Sequence, residues 1–182
     1  MPVSASKDPA LLERVLEARD GRARLRGRTF GQLEGSGLAL GELSLNVPGW
    51  PKLGRVWLLV FARGLEAAET QLGLELRALW ADEAGYWALV SSPQPLELCK
   101  RVSCAIEDAA PWGRLLDFDW YAHAGGGAKL ARAGLGLGER RCMVCGGEQG
   151  PCISELRHEI ASVRASALDL ARSARRQGRA HA

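Results

Sequence analysis

Asp117 and Asp119 stand two residues apart in the segment Arg114-Leu115-Leu116-Asp117-Phe118-Asp119-Trp120-Tyr121. Side chains of a strand alternate sides, so the segment predicts Leu116, Phe118 and Trp120 on one face and both acids on the other. Two carboxylates so placed lie roughly 7 Å apart at the backbone, close enough to converge on one hard cation. A magnesium ion held there keeps positions open for phosphate oxygens, as phosphoryl and nucleotidyl transfer require. Arg114 offers a guanidinium, and Gly113 a close backbone approach, immediately before the acids. The competing interpretation of so short a pattern is an edge strand whose acids serve only solubility.

Cys142, Cys145, Cys152 and His158 form a second constellation, spaced C-x2-C-x6-C-x5-H. Thiolates and imidazole are the ligands of tetrahedral zinc. The first two cysteines can grip from the tight turn at Gly146 and Gly147, with a histidine on an incoming helix completing Cys3His. A closed set of four makes a structural zinc site. Buried free thiols and a histidine packed in the last helix are the alternative. Residues 46–52, Asn-Val-Pro-Gly-Trp-Pro-Lys, are the third constellation. Prolines fix the backbone around Gly49, glycine permits close approach of a ligand, and Lys52 supplies a point charge for phosphate. Taken alone, this loop is explained by a rigid turn between a strand and a helix.

The elements that must position these groups follow from periodicity. Asp8 is a good N-cap and Pro9 a good first helical residue, with Leu11, Leu12, Val15 and Leu16 on one face. The basic run Arg19, Arg22, Arg24, Arg26 and Arg28 spreads charge around that helix, which predicts a solvated helix end. Residues 38–47 read as a strand broken by Pro48, Gly49 and Pro51. Helical spacing of Phe61, Leu65, Ala68, Leu72, Leu76 and Leu79 predicts one long helix over 56–80. A short buried strand follows at 86–90, and a third helix opens at Pro95 with Leu96, Cys99, Val102 and Ile106 inward. Gly125, Gly126 and Gly127 end the acidic strand. A closing helix runs from about Ser154 with Ile160, Val163, Ala167 and Leu170 on one side, and the chain frays from Ser173 through Arg175, Arg176 and Arg179.

The fold expected is α+β: a small mixed sheet with helices packed against it, nucleotidyltransferase-like, and a C-terminal Cys/His appendage. Residues 1–136 form the core, and 137–182 the cluster and last helix, packed on the same domain. A chain of 182 residues, 47% hydrophobic and 25% charged, is ordinary globular composition and excludes extensive disorder. The apolar run 56–61 is far shorter than the roughly 20 residues of a membrane span. Residues 1–7 lack the apolar core of a secretory signal, so a cytoplasmic protein is expected. Five cysteines, an odd number with three between 142 and 152, fit metal ligation before a disulfide framework. A net charge of +3 and 6% aromatic residues argue against nucleic acid as the partner. Only four of the 24 basic residues are lysines, a bias matched by abundant glycine and set by composition as a whole.

Taken in chain order, Ala18-Arg19-Asp20-Gly21-Arg22, residues 46–52 with their P-G-x-x-K core, Gly113-Arg114-Leu115-Leu116-Asp117-Phe118-Asp119, Arg140-Arg141-Cys142-Met143-Val144-Cys145, Cys152 and His158 resemble one family. That family is the holo-acyl-carrier-protein synthase of citrate lyase, the phosphoribosyl-dephospho-coenzyme A transferase. The pattern departs at Ser154, where the family carries arginine, and at Ala23, Arg24 and Arg26, where it carries glutamines. The resemblance implies transfer of a 2'-(5''-phosphoribosyl)-3'-dephospho-coenzyme A group from its triphosphate precursor, triphosphoribosyl-dephospho-CoA. The acceptor is a serine of the acyl carrier protein subunit of citrate lyase, and diphosphate leaves. Asp117 and Asp119 are then the catalytic and magnesium-binding pair, and Arg19, Arg22, Lys52, Arg114 and Arg141 candidates for the donor's phosphates. Two rivals remain: the equivalent transferase of malonate decarboxylase, differing in its carrier, and a zinc-knuckle module binding nucleic acid, indifferent to Asp117.

Overall fold

The computed structural model describes residues 8–122 and 127–177. Helix α1 (Pro9–Gln32) begins as its sequence dictates, with the Asp8 carboxylate accepting from the Ala10 N–H at 3.0 Å and proline in the first turn. Strand β1 (Ala39–Leu45) leads through the proline-rich loop to α2 (Arg55–Leu72), then to the hairpin β2 (Glu75–Asp82) and β3 (Gly85–Ser92). Helix α3 (Leu96–Ala109) and a 3-10 turn (Pro111–Leu115) deliver the chain to β4 (Leu116–Tyr121). A short α4 (Gln149–Ser154) and a long α5 (Ile160–Gln177) close it. The α+β class holds, and every pairing in the four-stranded sheet, ordered β2-β3-β1-β4, is antiparallel.

Alternation assigns the two faces. Leu43, Ala88, Val90, Leu116, Phe118 and Trp120 join the larger core with α2, α3 and α5, to which Trp57, Val60, Phe61, Ile106 and Ala167 contribute. Leu40, Trp87 and Leu89 face the other way, with Leu33 and, from α1, Leu25 and Phe30. Strand β4 lies at the sheet's edge, where unpaired backbone groups are a liability. Side chains and the following segment satisfy them: Lys100 Nζ donates to the Phe118 carbonyl at 2.7 Å and the Phe118 N–H to Glu107 Oε1 at 3.0 Å. Arg140 donates to the Leu116 carbonyl at 2.8 Å, and the Leu130 N–H to the Trp120 carbonyl at 2.8 Å.

Several expectations are corrected. The helix predicted over 56–80 stops at Leu72, because Gly73 adopts φ 60° and its N–H closes onto the Glu69 carbonyl at 2.9 Å. Beyond it Leu76 and Leu79 are exposed on β2, while Ala78 and Trp80 pack on the α1 side. The arginine run is solvated only in part: Arg19, Arg24 and Arg28 are exposed, but α1 continues to Gln32 and Arg22 and Arg26 turn inward onto the sheet. The closing helix is two helices broken at residues 155–159, and the second stays helical through Arg175 and Arg176. The expectations placed on residues 1–7, on Gly125 and Gly126, and on Arg179 fall outside the described residues. Among the described residues no helix is long and apolar enough to cross a membrane.

Candidate functional site

Register puts the acids in a defined row. Asp117 pairs with Ser44 of β1, which pairs with Trp87 of β3, and Asp119 pairs with Glu42, which pairs with Leu89. Directly paired residues share a face, so Asp117, Asp119, Glu42 and Ser44 all project to the α1 side. Both aspartate side chains reach solvent, Asp117 at 43% and Asp119 at 21% exposure. Glu42, a third carboxylate missed by sequence reading, is engaged from three sides by Arg26 at 3.0 Å, Trp87 Nε1 at 3.0 Å and the Tyr121 hydroxyl. Burial and the Glu42 charge push the Tyr121 hydroxyl's pKa up, which keeps it a donor. Glu42 therefore anchors the centre of the face, and Asp117 and Asp119 lie outside it on the edge strand.

Each outer acid carries a cationic neighbour. Lys129 pairs with Asp119, and Arg140 Nη1 lies 3.2 Å from Asp117. Arg140 also meets Glu107, buried at 2%, at 2.7 Å, and Arg132 grips the same Glu107 at 2.6 Å. Burial raises the Asp117 carboxyl above its ordinary value; the Arg140 charge opposes this, and Asp119 and Glu107 add to it. Sequence reading named Arg141 and passed over Arg140, whose partners come from α3 and β4 and leave no local signal.

The predicted phosphate ligands divide into two groups. Lys52 sits in the loop before α2, donating to the Val47 carbonyl at 2.6 Å and lying over the Trp50 ring. Burial, helped by the charges of Arg19, Arg164 and Arg22, lowers its pKa to about 8. Arg19, Arg22 and Lys52 are thus gathered together. Arg22 is already committed, with Asp82 at 2.5 Å, the Gly85 carbonyl at 2.7 Å and the Trp87 ring beneath it. Arg114 and Arg141 belong elsewhere: with Arg101 and Arg132 they line a cavity of about 500 Å³ against α3. Gly113, expected to admit a ligand, instead lies against the end of α3.

The cysteine and histidine constellation assembles. One ligand atom from each of Cys142, Cys145, Cys152 and His158 lies within 4.8 Å of all the others, so the cluster could hold a metal such as zinc. Cys145 Sγ and Cys152 Sγ are 3.5 Å apart, and Cys142 Sγ accepts from the Val144 N–H at 3.4 Å. His158 Nε2 is buried without a hydrogen-bond partner. Burial raises the Cys142 thiol, but backbone N–H groups of Cys145 and Val144 and the adjacent thiols outweigh it and bring it to about 7. His158 lies between α4 and α5, not on a helix as the spacing predicted.

Reachable acids on an antiparallel face, with Lys129 and Arg140 beside them, form an arrangement that can do group-transfer chemistry on phosphate-bearing substrates. Comparison with known proteins is more particular. The family described as CitX, apo-citrate lyase phosphoribosyl-dephospho-CoA transferase, matches residues 10–173, and the chain belongs to that family. It is 29% identical over 125 residues to Protein CitXG of Leuconostoc mesenteroides subsp. cremoris, a stretch covering 66% of this chain and 26% of that protein. The chain therefore spans about a quarter of the length of this curated relative.

Proposed function

We propose that the protein is a nucleotidyltransferase-type enzyme of the cytoplasm that modifies the apo acyl carrier protein of citrate lyase. It transfers the 2'-(5''-phosphoribosyl)-3'-dephospho-CoA group from the triphosphate precursor to a carrier serine. The serine oxygen bonds to the phosphorus nearest the ribose, the bond from that phosphorus to the leaving diphosphate breaks, and the hydroxyl proton passes to a carboxylate. The observation that carries this reading is the shared, solvent-reaching placement of Asp117 and Asp119 on the α1 face, in a chain of this family.

The acid pair fits a divalent cation of the hard, oxygen-seeking kind. Magnesium bound there would offset charge building on the departing diphosphate. Lys129, over half exposed, gives up Asp119 at little cost, because surface ion pairs contribute only about 0–1 kcal/mol. Asp117, whose carboxyl burial raises above its ordinary value, is the carboxylate that accepts the serine proton in this reading. Arg19 and Lys52 supply positive charge for the donor's phosphates, and Arg22 holds the β2–β3 turn that Lys52 borders. Arg114 and Arg141, lining the cavity against α3, serve the second phosphate group of the donor, the diphosphate within its dephospho-CoA part.

The test is incubation of purified protein with apo carrier, donor triphosphate and magnesium, followed by intact-mass measurement of the carrier. Wild type should add the prosthetic group. Asp117→Asn and Asp119→Asn should each lose at least about 100-fold in rate, as removal of one preorganised electrostatic group does, with unchanged circular dichroism. Retained modification by both variants would overturn the mechanism. Modification of a malonate decarboxylase carrier in place of the citrate lyase one would overturn the partner.

A further inference from the structure

We propose that Cys142, Cys145, Cys152 and His158 bind a structural zinc ion that fixes Arg140 between Glu107 and Asp117. Tetrahedral zinc with thiolates at roughly 2.3 Å and imidazole nitrogen at roughly 2.0 Å sets its ligand atoms roughly 3.3–3.8 Å from one another. The Cys145 and Cys152 sulfurs, 3.5 Å apart, are already at that spacing, whereas a disulfide needs about 2.05 Å. His158 aims a buried nitrogen that no protein group satisfies, and a metal would satisfy it. The turn that presents the first two cysteines is closed by its own backbone. The Cys142 N–H donates to the Gly147 carbonyl at 2.6 Å and the Gly146 N–H to the Cys142 carbonyl at 3.0 Å, with Gly146 at φ 73°. Soft thiolates with one imidazole in a four-ligand set select zinc, and no position is left open for substrate. On binding, each thiol that is still protonated releases its proton to solvent, and no electron moves.

Arg140 stands two residues before the first ligand, and its carbonyl accepts from the Gln149 N–H at 2.9 Å. Gln149 opens α4, which carries the third ligand, Cys152. The metal would thus clamp both strands of the small bridge Arg141↔Glu148, from whose base Arg140 reaches back to the sheet. The segment has little apolar burial of its own; Cys142 and Cys152 are its buried residues, with Met143 partly packed on the core. Arg140's own bonds to Glu107, Asp117 and the Leu116 carbonyl hold its guanidinium, and the ion would hold the backbone from which that side chain reaches. Arg140 is in this account a positioning residue for Asp117. Only the kinetic arm of the test rests on the transferase reading.

Protein purified without a nickel column should carry about one zinc per chain by elemental analysis. Its cobalt-substituted form should show the intense visible bands of tetrahedral cobalt and sulfur-to-cobalt charge transfer in the near ultraviolet. Cys145→Ser and His158→Ala should lower zinc occupancy at least about tenfold, whereas Cys104→Ser, outside the cluster, should retain it. If those variants fail to fold, stripping wild type with a chelator should speed amide exchange across residues 139–152, and added zinc should restore protection. Purification as an apoprotein, with iron, or with a Cys145–Cys152 disulfide, and no response to added zinc, would overturn the site. None of these readings needs donor or carrier, so they stand even if the transfer reading falls. For the positioning arm, zinc removal and Arg140→Ala should each slow transfer, and together should slow it no further than either alone. Losses that multiply would overturn the link to Arg140.

Discussion

Lys52, in the loop before α2 and beside the β2–β3 turn, is a cation whose charge responds to its surroundings. Burial, reinforced by Arg19, Arg164 and Arg22, lowers its pKa from the ordinary 10.5 to about 8. Two pH effects of opposite sign follow. Between about pH 8 and 10.5 the unfolded chain holds a proton on this residue that the folded chain has lost, so the residue's contribution to stability rises with pH there. Attraction for donor phosphates falls across the same window, because the ammonium is discharging. KM for the donor should therefore climb as pH passes about 8 in wild type, while Lys52→Arg, which stays charged, should flatten that climb. Equal climbs in the two proteins would remove Lys52 from the phosphate site. The placement of Asp117 and Asp119 on one face was legible at this scale because alternation in a strand is local. Arg140 was not, since its meaning lies in Glu107 and Asp117, which only folding brings to it.

At the scale of elements, the acids are aimed by how β4 is entered. The 3-10 turn before it presses on the last turn of α3 so closely that a Cβ on Gly113 would lie 2.6 Å from the Glu107 carbonyl oxygen and 2.7 Å from that of Ile106. Both are backbone atoms and cannot swing aside. Gly113→Ala should cost about 1–3 kcal/mol, as overpacking does, and lower the melting temperature by several degrees. Gly27→Ala is the contrasting case: on exposed α1 nothing lies within 4 Å, and the change should raise stability by up to about 1 kcal/mol. Thermal denaturation of the two variants checks both signs, and an unchanged Gly113→Ala melting point would refute the close packing. The same region shows where sequence reading fails. Gly113 was expected to admit a ligand because glycine marks close approach without naming what approaches. Likewise Leu76 and Leu79 continue the helical period of α2 and still lie on a strand. Gly73 ends the helix, and β3 offers the next residues a partner that periodicity does not register.

Across the whole molecule, the last helix reaches back to the loop that carries Lys52. Arg164 of α5, buried at 6%, donates to the Pro48 carbonyl at 2.6 Å and the Pro51 carbonyl at 2.9 Å, and its guanidinium lies 5.5 Å from the Trp57 ring centroid. No sequence pattern couples residue 164 to the proline loop; the link exists because α5 packs on α2, which that loop precedes. Arg164→Met keeps the bulk and removes both donors, leaving two carbonyls unsatisfied at a cost of about 1–3 kcal/mol. It also removes one of the charges that depress Lys52. The inflection in donor KM should then move upward from about pH 8, yet stop short of 10.5, because burial is the larger cause and survives the substitution. Measured melting temperature and the KM profile separate the two roles. A variant that melts lower with its inflection unmoved would make Arg164 a brace alone. A moved inflection would make the C-terminal helix an electrostatic part of the phosphate site, through a residue that touches neither acid.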